Sequence, residues 1–94
     1  VQQQPIYRYR SLEAEINALG YRLLGGGAAA QAVTAFRINT AVYPHSANAF
    51  DSLGEALVTT GQRDAGIAAY RQALRIDPTF PPSQQALQRL GVEP

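Results

Sequence analysis

Shifting the chain against itself by 34 residues places seven residues on identical partners: Leu19, Gly20, Leu23, Gly27, Ala35, Arg37 and Pro44 fall on Leu53, Gly54, Leu57, Gly61, Ala69, Arg71 and Pro78. Similar residues fill further slots, with Ile16 over Phe50, Val33 over Ile67, Phe36 over Tyr70 and Val42 over Ile76. A period of this length means one supersecondary unit used twice, each unit burying the face its neighbour leaves open.

Each window reads as two amphipathic helices. Phe50, Leu53 and Leu57, then Ile67, Tyr70 and Leu74, recur at spacings of three and four, which puts them on one face of a helix. No segment alternates with period two long enough to compete. Pro44 and Pro78 bias the preceding residue out of the helical region and mark where the second helix of each window stops. Ser46 and Ser11 stand directly before helical patterns and offer N-cap oxygens, with Glu13 and Glu15 near the positive end of the first helix dipole. Helices are expected over about 12–25, 29–43, 47–60, 63–77 and 82–90.

The run Gly25-Gly26-Gly27 poses a choice between a phosphate cradle and a helix turn. A phosphate loop of the Walker kind needs a lysine, and all eight basic residues of this chain are arginine. The glycines follow a helix rather than a strand, and Gly27 occupies the slot Gly61 takes one period later. A helix terminus in a left-handed conformation is the expectation.

These residues resemble the tetratricopeptide repeat, a 34-residue helix-turn-helix unit. The first window fills its slots with Ile16, Leu19, Gly20, Leu23, Ala32, Phe36, Asn39 and Pro44, the second with Phe50, Leu53, Gly54, Leu57, Gly66, Tyr70, Ala73 and Pro78. The resemblance implies an all-α domain of antiparallel helix-turn-helix repeats in a right-handed superhelix: repeat 1 over 13–46, repeat 2 over 47–80 and a capping helix over 81–91, making a domain over 11–94 preceded by a linker or extension at 1–10. Two slots depart from the pattern. Gly66 replaces alanine inside a helix, costing about 1 kcal/mol in propensity, and Asn39 replaces a small apolar residue, so its amide needs a hydrogen bond or water. "PPSQQALQRL" carries prolines suited to a first helical turn and an apolar stripe at Ala86, Leu87 and Leu90.

The same resemblance implies a protein-interaction module whose concave face is lined by the first helix of each repeat. It assigns that face to Asn17, Tyr21 and Leu24, to Asn48, Asp51, Ser52, Glu55 and Thr59, and to Gln85 and Arg89 of the cap. The partner it implies is a peptide or protein, with no cofactor, no metal and no catalysis. The lysines with which some members clamp a peptide carboxylate are missing here. A finer similarity, carried by "NALGYRLL", "AFRINTAVYPHSANAFDSLGEAL" and "GIAAYRQALRIDP", is to repeat tails that follow the catalytic domain of some bacterial serine hydrolases of the β-lactamase-like and α/β-hydrolase kinds. On that reading the chain is a non-catalytic accessory domain linked to an upstream one; a self-associating unit is the third reading. The chain contains neither G-x-S-x-G nor S-x-x-K. It begins with Val and ends in "GVEP", which suits an excised domain or a processed product.

Composition narrows the rest. Ninety-four residues suit one small domain. A net charge of +1 with scattered arginines argues against nucleic acid. The absence of cysteine removes thiol chemistry and disulfides while leaving cytoplasm and periplasm both open. No apolar run approaches a bilayer span, so a soluble chain without a membrane partner is expected. Asp51 and Glu55, four apart, project from one helix face; they read as solvated charges or, if they act, as a recognition site for a basic peptide. His45, the one histidine, lacks the companions of a zinc site and reads as a loop residue beside Ser46. Tyr7 and Tyr9, alternating with Arg8 and Arg10, suit an extended segment that covers the first repeat or docks on another domain.

Overall fold

The computed structural model describes residues 11–94; residues 1–10, expected to be a linker or extension and including Tyr7 and Tyr9, lie outside the described residues. Among these, all regular structure is helical: α1 (Glu13–Gly25), α2 (Ala29–Val42), α3 (Ala47–Thr59), α4 (Arg63–Ile76) and α5 (Pro81–Leu90). The sequence-based boundaries differ by one residue at most. Connections of three or four residues force neighbouring helices to run antiparallel, and α1 packs on α2, α2 on α3, α3 on α4 and α4 on α5, with α1 also touching α3.

Helix ends are written in glycine. Gly27 and Gly61 take φ of 82° and 81°, and each permits the same pair of terminal bonds. After α1 the Ala28 amide donates to Leu23 O at 2.8 Å and Gly27 N to Leu24 O at 3.3 Å; after α3 Gln62 N donates to Leu57 O at 2.8 Å and Gly61 N to Val58 O at 3.0 Å. These are Schellman closures, which satisfy carbonyls that the helix itself leaves open. Gly91 closes α5 in the same way, with Val92 N on Leu87 O at 3.1 Å. Gly25 differs from its neighbours: it is helical, and an added Cβ would meet nothing within 4 Å. Gly25→Ala is therefore expected to raise stability by roughly 0.5 kcal/mol by shrinking the unfolded ensemble, and Gly27→Ala to lower it by about 1 kcal/mol through left-handed strain. Urea midpoints moving in opposite directions at constant slope are the readout; a shared direction contradicts the assignment.

Helix starts are capped unevenly. Ser46 caps α3 as expected, its Oγ accepting from Ala49 N at 3.0 Å. Ser11 does not take the cap position of α1, which falls on Leu12; its Oγ accepts from Glu13 N at 3.1 Å instead. The start of α1 is fastened from outside. Tyr43 Oη accepts from Leu12 N at 2.7 Å, Asn39 Nδ2 donates to Glu13 O at 3.2 Å, and Ser46 Oγ donates to the Glu13 carboxylate. Asn39, fully buried, thus finds a backbone acceptor for its amide, while its Oδ1 has no partner among the described residues.

The core is continuous across the helix pairs. Ala32, Val33 and Phe36 of α2 meet Leu53, Ala56 and Leu57 of α3, and Leu23 and Leu24 pack against them. Beyond them Ile67 and Tyr70 of α4 are covered by Ala86 and Leu87 of α5. Close approach requires small residues at the crossings. Gly20 lies against the Phe36 ring, Gly54 against the Tyr70 ring, and a Cβ on Gly66 would stand 2.6 Å from Val58 Cγ2 and 3.0 Å from Gly54 O. Gly66 therefore trades helix propensity for proximity between α3 and α4. Arginines of α4 anchor the far end: Arg63 Nη2 donates to Leu90 O at 2.6 Å, and Arg71 donates to Glu93 O through Nε and Nη2 at 3.2 and 2.9 Å.

Candidate functional site

The groove residues expected from sequence are brought together in part. Tyr21 packs edge-on against Phe36, ring centroids 5.1 Å apart, and its hydroxyl donates to Glu55 Oε1 at 2.9 Å. These two residues are one period apart, so the bond ties equivalent slots of α1 and α3. Burial, more than the neighbouring Glu55 and Asp51 carboxylates, pushes the Tyr21 phenol up to about 12; it stays a proton donor across the physiological range.

Asp51, one turn before Glu55, accepts from Ser83 Oγ of α5 at 2.7 Å. Burial raises its pKa above the usual aspartate value; the Ser83 bond opposes this, Glu55 adds to it and Arg89 works against it. The sign for stability follows from linkage. A carboxyl whose folded pKa lies above its unfolded one binds protons more tightly when folded, so its contribution falls as pH rises from the unfolded value through the folded one. Asp51→Asn keeps an acceptor for Ser83 and removes the buried charge. It is expected to raise the urea midpoint at pH 7, with the gain vanishing below about pH 4; an unchanged or lowered midpoint at pH 7 contradicts the burial argument.

Between α3, α4 and α5 lies a cavity of about 240 Å³, with Glu55, Thr59 and Arg89 at its polar side and Val58, Tyr70 and Leu90 among its apolar walls. Thr59 and Arg89 thus join Glu55, as expected for one face. Tyr70 is 5% exposed, and its hydroxyl has no hydrogen-bond partner among the described residues. Burial raises its pKa, with Asp51 and Glu55 adding and Arg89 subtracting, which places the phenol in the same field as the three charges.

Other expected members fall elsewhere. Ser52 is buried and offers no surface; its hydroxyl sits near the Tyr21 phenol but meets no hydrogen-bond geometry with a described residue. The reason is its slot, since it turns toward the α1–α2 pair rather than outward. Leu24 is half-buried against the core and is a packing residue. Asn17 and Asn48 line a second cavity of about 350 Å³ beside Glu13 and Ala14, and Asn17 Oδ1 is buried without a partner among the described residues. Gln85 is exposed on α5. His45 borders a third cavity, of about 440 Å³, with Glu13 and Tyr43; Ser46 is already committed to Ala49 N and Glu13 and is not free to pair with it.

Tyr70 and Ser83 were not among the residues assigned to the groove by sequence. The signal was present for Tyr70: Phe36 fills the same slot without a hydroxyl, so the phenol is the part packing does not explain. Nothing marked Ser83, which reaches Asp51 only through the placement of α5. No protein-family model matches this chain, and no curated protein is significantly similar to it.

Proposed function

We propose that the chain is a tetratricopeptide-type interaction module that receives a peptide or a partner domain along the face formed by α1, α3 and α5. The observation that carries this reading is the Tyr21–Glu55 bond between equivalent slots of successive units, which sets polar and aromatic side chains side by side on one surface. Supporting it are the matched environments of Gly20 and Gly54, each against the aromatic of the following helix, and the matched left-handed turns at Gly27 and Gly61. A surface built on closely packed helices is pre-organised, so a ligand loses little free energy in ordering it. Titrating the isotopically labelled chain with a pooled library of blocked peptides tests the reading. Perturbed amides around Tyr21, Asp51, Glu55 and Arg89 support it; shifts confined to the outer side, around Ile38 and Gln72, overturn it.

A second reading, an accessory domain of a larger hydrolase with its partner attached upstream, is favoured by one asymmetry. Leu53 is 5% exposed beneath α2, while Leu19, its counterpart one period earlier, is 42% exposed, and Leu12, Ile38 and Val42 are also open. An apolar edge of this kind suits contact with another domain or a second copy. Sedimentation of the isolated chain over a concentration series separates these, since self-association appears there and a covalent neighbour does not.

A further inference from the structure

The cavity between α3, α4 and α5 combines features that select one ligand chemistry. Its walls are apolar at Val58, Tyr70 and Leu90, and its mouth is polar at Glu55, Thr59 and Arg89. Glu55 uses Oε1 for Tyr21, and Asp51 uses Oδ1 for Ser83. The second oxygen of each carboxylate has no hydrogen-bond partner among the described residues. Carboxylates fixed through one oxygen present the other in a set direction without further ordering cost. Glu55 and Arg89 line the cavity and Asp51 stands one turn from Glu55, so two carboxylates are set against one guanidinium in this neighbourhood.

Tyr70 supplies an independent observation. The Tyr70 side chain is nine-tenths buried and lines the cavity, and its hydroxyl has no hydrogen-bond partner among the described residues, so its oxygen is left to accept from a ligand N–H donor. Long amphipathic cations match the whole arrangement. Lysine and arginine lay an aliphatic stem on apolar surface and keep the charged head at a polar rim.

We propose that this cavity receives a lysine or arginine side chain from a bound peptide, its stem on Tyr70, Val58 and Leu90, its head on Glu55 and the Tyr70 oxygen, with Asp51 adding charge from one turn away. The proposal rests on the reading of this face as a peptide-binding groove and names what the groove selects. Arg89 limits the affinity, because the ligand's charge meets it at the rim. Removing Arg89 and removing Glu55 therefore act in opposite directions, a signature that general surface stickiness does not produce.

The experiment uses the full chain, isotopically labelled, with the blocked peptides acetyl-Ala-Arg-Ala-amide, acetyl-Ala-Glu-Ala-amide and acetyl-Ala-Leu-Ala-amide. The arginine peptide is expected to shift resonances of Tyr70 and Glu55 in a salt-dependent way. Glu55→Gln, which retains an acceptor for Tyr21, weakens it roughly three- to tenfold, and Arg89→Gln tightens it about twofold. Circular dichroism checks that both variants keep the helical fold. Equal or stronger binding of the glutamate or leucine peptide in the groove, or an arginine-peptide affinity indifferent to Glu55→Gln, overturns the cation assignment and leaves the groove standing. If none of the three peptides moves a groove resonance, both the assignment and the groove reading fall.

Discussion

Phe36→Ala is expected to lower the stability of the domain by about 3–5 kcal/mol, read as the shift of the urea midpoint at constant slope. Phe36 is fully buried in a core layer shared by α2 and α3, with Val33, Leu53 and Leu57 around it and the Tyr21 ring of α1 edge-on at 5.1 Å. Truncation removes the transfer free energy of the ring and leaves a cavity among Val33, Leu53, Leu57 and Tyr21 that partial relaxation of the helices does not fill. Single domains have about 5–15 kcal/mol in total, so the variant is marginal at physiological temperature. Tyr21 also loses its packing partner, which couples the core to the groove: the Tyr21–Glu55 bond is expected to loosen with it. A loss under about 1 kcal/mol means that Phe36 does not fill this layer.

Gly20→Ala is expected to cost about 1–3 kcal/mol, opposite in sign to the gain that helix propensity alone assigns to an alanine in mid-helix. The added methyl would stand 2.3–2.8 Å from Phe36 ring atoms, and the ring is fully buried, so the neighbours must shift to relieve the overlap. The equivalent change at Gly54 is milder. There the new Cβ meets Tyr70 ring atoms at 2.9–3.0 Å, a smaller overlap that a slight ring tilt relieves. Thermal unfolding is therefore expected to rank wild type above Gly54→Ala and that above Gly20→Ala. Combining Gly20→Ala with Phe36→Leu, a smaller and more flexible neighbour, recovers part of the loss, so the pair is non-additive. Additive losses mean the two side chains do not share the contact.

Both results bear on recognition. The proposed groove is built from side chains rooted in helices whose spacing is set by these crossings, so an error in packing appears as an error in the distance between Tyr21 and Glu55 or between Asp51 and Ser83. Preformed polar contacts lose their advantage when the scaffold shifts by even an ångström or so.

Helix positions, the turn glycines and the order of the core were legible in the sequence because each rests on local rules. Apolar spacing of three and four defined the faces, Pro44 and Pro78 marked the stops, and Gly27 and Gly61 stood where only a residue without Cβ turns left-handed cheaply. Tyr21, Asp51, Glu55 and Arg89 occupy recurring slots of one helix face in the sequence, and they lie near one another. Ser52 and Leu24, on the same helices, turn inward by a fraction of a turn. Periodicity resolves which stripe is apolar more sharply than where its border falls.

What tertiary structure alone decided are the contacts between residues remote in sequence. The fastening of α1 by Tyr43, Asn39 and Ser46, the seat of Asp51 on Ser83 and the capping of α5 by Arg63 all join helices whose relative placement no local pattern encodes. Local propensities act along the chain over a few residues, and so the sequence by itself determined the helices and their glycine-written ends. The angle and closeness at which they meet come from burying shaped surfaces together, and it is that fit which set Glu55, Tyr70 and Arg89 around a single cavity.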